Sequence, residues 1–143
     1  VVNVTLTRIE AVVGGFFALV GGLICGILGG WDVILKVLVT MVVLDYISGL
    51  LAAFVEKKLN SEVGFKGVAK KALIFVVVAL AVCIDQVIGK ELVRYVIICF
   101  YIGTEGLSVL KNVGRAGLSW PAFLLDALEE IQKKGKPDGK DLP

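Results

Sequence analysis

From Ala11 to Gly30 the chain runs for 20 residues without one charged side chain. At ~1.5 Å per helical residue, such a run crosses the ~30 Å hydrocarbon core of a bilayer. Three more apolar runs follow, from about Val33 to Val55, Ala69 to Gly89 and Leu92 to Leu110. Hydrophobic residues make up 57% of the 143, above the roughly 45–50% of ordinary soluble domains. Lipid is therefore the expected solvent. Because helices satisfy their own backbone groups there, the fold class expected is an all-α integral membrane protein with about four transmembrane helices.

Only Trp31-Asp32 separates the first two runs and only Lys90-Glu91 the last two, so the spans are expected as two antiparallel hairpins. The longer connection from Glu56 to Val68 carries Lys57, Lys58 and Lys66, and Lys70 and Lys71 follow at the mouth of the third span. The positive-inside rule places this connection in the cytoplasm. Arg8, Lys111, Arg115, Lys133, Lys134, Lys136 and Lys140 then fall on the same side, leaving only Lys36, Lys90 and Arg94 outside. Both termini are expected to be cytoplasmic. The organisation read from the sequence is an N-terminal cytoplasmic segment (1–10), a transmembrane domain (11–110), a juxtamembrane loop with an amphipathic helix (111–134) and a charged, disordered tail (135–143). In that helix Phe123, Leu124, Ala127, Leu128 and Ile131 share one face, with Asp126, Glu129, Glu130 and Lys133 opposite. It is expected to lie on the membrane or to dock on a partner. The first run exceeds the apolar core of a signal peptide and is read as a retained span. The sequence begins at Val1 without Met, so upstream residues are expected to have been trimmed or omitted.

The net charge of +2 and the absence of aromatic-interleaved basic motifs argue against nucleic acid as a partner. Cys25, Cys83 and Cys99 lie in apolar runs, where a thiol packs as a small hydrophobe. With no histidine and no paired-cysteine spacing, neither a zinc site nor imidazole acid–base chemistry is supported. No catalytic residue, cofactor or metal is expected.

Four sets of residues invite a role. Gly14, Ala18, Gly22, Gly26 and Gly30 recur every four residues, a small-residue stripe that lets membrane helices approach closely, either within the chain or between subunits. Asp45 and Glu105 fall at similar depth in the second and fourth spans. A membrane-embedded acid costs ~2.5–3.5 kcal/mol on insertion scales, so the two suggest a shared proton, a hydrated strip, or hydrogen bonds to Tyr46, Ser48, Tyr101 or Thr104. Lys36, Asp85 and Arg94 lie nearer the outer face, as ion pairs or as basic side chains snorkelling to the interface. Trp31 and Trp120 are expected as interface anchors.

The strings Leu44-Asp45-Tyr46-Ile47-Ser48-Gly49, Gly64-Phe65-Lys66-Gly67-Val68-Ala69-Lys70-Lys71 and Glu105-Gly106-Leu107-Ser108-Val109-Leu110-Lys111-Asn112 resemble the toxin-secretion and phage-lysis holin family, phage holin family 4. The similarity covers roughly Val33 to Lys134 and includes a Gly-Leu-x-x-Pro step at Gly117 to Pro121. The resemblance implies a protein that oligomerises in the bacterial cytoplasmic membrane and forms lesions through which an endolysin or a toxin leaves. Two other functions stay open: a small proton-coupled transporter using Asp45 or Glu105, although the first span carries no acid, and a non-conducting antiholin or assembly regulator.

Overall fold

The computed structural model describes residues 1–135. They form five α-helices, α1 Val2–Ile27, α2 Val33–Val55, α3 Ser61–Ile88, α4 Val93–Arg115 and α5 Ala122–Lys133, with no strand among the described residues. The first four are long and apolar enough to cross a membrane. α1 takes in most of the stretch set aside as an N-terminal segment, and α3 begins inside the expected long connection. Of the expected tail, residues 136–143 lie outside the described residues, and Gly135 is buried.

Helix ends follow local chemistry. Asp32 caps α2 by accepting a hydrogen bond from the Leu35 amide at 3.1 Å. Gly29 ends α1 at φ +81°, where a Cβ would also stand 2.7 Å from Arg94 Nε. Only glycine meets both demands there.

The core is a seam between α2, α3 and α4. Leu35, Leu38 and Val42 from α2 meet Ile74 and Val78 from α3 and Ile98 and Ile102 from α4. On each helix these residues repeat at three- and four-residue steps, one face of a 3.6-residue helix. α4 is the least apolar of the four long helices and also the most buried, because it lies between α2 and α3 on one side and α5 on the other. The amphipathic helix thus docks within its own chain. Gly103 faces Gln132, Gly106 faces the Leu128 side chain, and Gly114 faces the Trp120 ring.

α1 stands apart. None of its residues is buried, and only its last turn nears the bundle, where Ile24, Ile27, Leu28 and Trp31 border an apolar hollow with Val39, Phe75 and Val76. The short turn to α2 therefore joins two helices that do not pack along their length.

Candidate functional site

The seam that buries Leu38 and Val42 continues down α2 to Asp45, and the seam of Ile98 and Ile102 continues down α4 to Glu105. Each acid sits 12 residues, ~18 Å, from the start of its helix, so the expected equality of depth becomes an actual meeting. What joins them is Lys71 of α3, whose ammonium contacts both Asp45 Oδ2 and Glu105 Oε2. The acids retain only 7% and 6% exposure. Lys71 was expected in the cytoplasmic basic cluster and belongs instead to the bundle interior. It lies on the inward face of α3 with Ile74, Val78 and Asp85, and its flexible stem carries the charge to the level of the acids.

Around this cluster the polar groups are satisfied. Asn112 Nδ2 donates to Asp45 Oδ1 at 2.9 Å and to Ser48 Oγ at 3.1 Å, while its amide oxygen accepts from Arg115 at 3.2 Å. Arg115 also grips both oxygens of Glu56, at 3.1 and 2.7 Å. Those contacts, led by the hydrogen bond, hold the Glu56 carboxyl below its ordinary value of 4.5. A polar ladder thus runs from the Arg115 end of α4 to the middle of the bundle, beside a crevice of about 400 Å³. Of the hydrogen-bond partners expected for the acids, only Ser48 joins the ladder, through Asn112 and the Asp45 carbonyl. Tyr46 packs over Gly67, and Thr104 accepts from Gln132 of α5 at 2.9 Å.

One ammonium facing two carboxylates leaves the cluster one positive charge short if both acids are ionised. Burying charge is costly and is offset only by complete pairing and hydrogen bonding. Three helices must therefore stay together for these groups to stay satisfied. This matters more in lipid than in water, since no hydrophobic driving force holds helices together there and close packing and interhelical polar contacts must do so.

A second polar site closes the opposite end of the bundle. The three outer residues, Lys36, Asp85 and Arg94, form no side-chain ion pair with one another among the described residues. Asp85 accepts hydrogen bonds from the amides of Leu92, Val93 and Arg94 at 3.2, 2.8 and 2.9 Å, filling the unsatisfied donors at the start of α4. Arg94 reaches the α1–α2 turn. Its guanidinium donates to the carbonyls of Leu28 and Gly30 and to both Asp32 oxygens. Asp32 is consequently held below its ordinary carboxylate value, chiefly by that hydrogen bond. Lys36 is exposed and makes no ion pair among the described residues. In the sequence Asp32 stands out only as a turn residue, and no spacing rule links it to Arg94.

The glycine stripe is shorter than its sequence spacing suggests. Gly30 lies beyond the end of α1 at φ +100°, because the helix stops at Ile27. Gly14, Gly22 and Gly26 remain on α1, and a Cβ at any of them meets nothing within 4 Å. Ala18 lies on the same exposed helix. Trp31 is exposed at the α1–α2 turn, and Trp120 is partly buried against Gly114.

A family model described as "Bacteriophage holin family" matches residues 22–133. An uncharacterised protein of Listeria monocytogenes is 41% identical over 87% of this chain and 86% of its own length. An uncharacterised protein of Clostridium perfringens is 37% identical over 80% of this chain and 86% of its own. A protein of Bacillus phage phi105 named "Probable holin" is 31% identical over 68% of this chain and 73% of its own. No solved structure matches.

Proposed function

The chain belongs to the bacteriophage holin family and is a multi-pass membrane protein; on that premise we propose that it accumulates in the bacterial cytoplasmic membrane, oligomerises and opens a lesion that releases an endolysin or a toxin. The observation that carries this reading is the Lys71–Asp45–Glu105 cluster, buried between three helices at mid-span. It acts as a latch: satisfied, it holds α2, α3 and α4 as a closed unit, and any rearrangement that parts the helices must hydrate it or supply new partners. A domain that is inert when closed and wet when opened is what timed permeabilisation requires. α1, unpacked within the chain and carrying small residues on one face, is the surface proposed for subunit contact. The basic bias of the Lys57 to Lys70 region supports a cytoplasmic α2–α3 connection and N-terminus even with Lys71 drawn inside.

The test is induced expression in a bacterium with and without a cytoplasmic endolysin, following membrane potential and culture density together. An abrupt collapse of potential, with lysis only when the endolysin is present, is expected. A persistent potential with the endolysin retained would overturn the reading. The crevice leading to Asp45 and Glu105 favours one second reading, proton-coupled transport. That reading requires the purified protein to move a cationic dye only under a pH gradient.

A further inference from the structure

α4 and α5 pair antiparallel in a nearly constant register: Trp120 lies at Gly114, Leu128 at Gly106, Gln132 at Gly103 and Gly135 at Phe100. Residues 120–135, with α5 at their centre, therefore follow α4 from Gly114 to Phe100, 14 residues or ~21 Å of the α4 helix. Phe100 stands only 7 residues, ~10 Å, from the start of α4. A helix in that position occupies the depth that α4 spans and does not rest on the membrane surface. Beyond the exposed Phe123, Leu124 and Leu125 of its first turn, its outward residues Asp126, Glu129, Glu130, Lys133 and Lys134 are exposed, and the register sets these charged groups between the levels of Ser108 and Phe100. Charged side chains at this depth do not face lipid tails; in known membrane folds they meet other protein groups or water.

The other side of the subunit has the opposite character. α1, α2 and α3 expose Phe16, Leu23, Leu51, Phe54, Leu73 and Val76, a surface suited to lipid. Between the two surfaces lies α4, buried from both sides. The whole subunit is amphipathic, with one apolar flank and one charged flank at the same depth.

We infer that the charged face of α5 lines the aqueous lumen of the assembled lesion while α5 stays docked along α4. The inference rests on the permeabilising function proposed above and assigns the wall that meets water. Notched docking at Gly103, Gly106 and Gly114 and the Gln132–Thr104 hydrogen bond supply the rigidity such a wall needs. With three acids and two lysines along it, the wall is hydrophilic and weakly negative.

The experiment uses the full chain in vesicles loaded with a fluorescent dye, in a background with Cys25, Cys83 and Cys99 replaced. Thr104→Cys and Gln132→Cys are joined by a short bifunctional thiol reagent, fixing α5 to α4. Dye release by the joined protein within two-fold of the unjoined protein is expected. An inert joined protein beside an active unjoined one overturns lumen lining by docked α5 and leaves the holin function intact; release by neither form removes the permeabilising function and the lumen together. A nitroxide at Glu130→Cys, on a chain carrying no other substitution beyond the three cysteines, gives an independent reading. Strong relaxation by a water-soluble nickel chelate and weak relaxation by oxygen are expected. Dominant relaxation by oxygen places the face in lipid, protection from both places it against a second copy, and either result overturns the inference.

Discussion

Arg94 reaches across 62 residues of sequence to meet both carboxylate oxygens of Asp32, at 2.6 and 3.0 Å. Asp32 also caps α2, and the same guanidinium holds the carbonyls of Leu28 and Gly30. One side chain thus ties the α1–α2 turn to the head of α4. Lysine keeps the charge but loses the planar fork, so Arg94→Lys is expected to lower stability by about 1–2 kcal/mol, read as thermal unfolding in detergent micelles.

The pH dependence of this clip has a definite sign. Asp32 has a folded-state pKa below its unfolded value of 3.8. Its contribution is therefore full above that value and is lost as the pH falls through the lower folded value. The stability gap between the native chain and Asp32→Asn should be constant near neutrality and shrink on strong acidification. A gap that widens in acid would contradict the pairing.

At mid-span the order of effects discriminates between a latch and a collection of independent polar groups. Lys71→Met leaves two carboxylates buried without their cation and is expected to cost about 3–5 kcal/mol. Glu105→Gln leaves Lys71 paired one-to-one with Asp45 and should cost less, about 1–2 kcal/mol. Chemical unfolding in mixed micelles checks both. If Glu105→Gln proves the more damaging, Lys71 is not the centre of the cluster.

Much of this was legible in the sequence, for reasons that differ by residue. The spans follow from lengths of apolar chain, and the common depth of Asp45 and Glu105 follows from counting along their helices. Lys71 was hidden by its neighbours: next to Lys70, at the edge of an apolar run, it reads as a cytoplasmic charge. The signal that places it inside is the spacing Lys71, Ile74, Val78, Val82, Asp85, which puts it on the buried face of α3. The docking of α5 was not legible. Amphipathic pattern reports that a helix has an apolar face, whereas the receiving notch is made by Gly103 and Gly106 on α4, glycines that also occur for many other reasons. Arg94 and Asp32 meet only because the bundle brings two turns together.

The α5 notch yields a prediction of its own. A Cβ at Gly106 would collide with the Leu128 side chain, so Gly106→Val should push α5 off α4 while leaving the seam of α2, α3 and α4 in place. Limited proteolysis of the inserted protein is expected to cut within Ala122–Lys133 several-fold faster than in the native chain. Unchanged cleavage would mean that α5 does not depend on this contact.

The glycines of α1 permit the cleanest separation of folding from assembly. In the folded chain a Cβ at Gly22 or Gly26 meets nothing within 4 Å, so added bulk there disturbs no contact inside the subunit. Replacing glycine within a helix also removes backbone freedom from the unfolded state, which favours the helix by roughly 0.5–1 kcal/mol. Gly22→Leu and Gly26→Leu should consequently insert normally and unfold no more easily than the native chain. If the stripe is where subunits approach, the same substitutions force their helices apart and delay the onset of lysis. The two measurements belong together, since delay with unchanged stability locates the defect between subunits, whereas onset that is unchanged or earlier in both variants removes the stripe from the assembly.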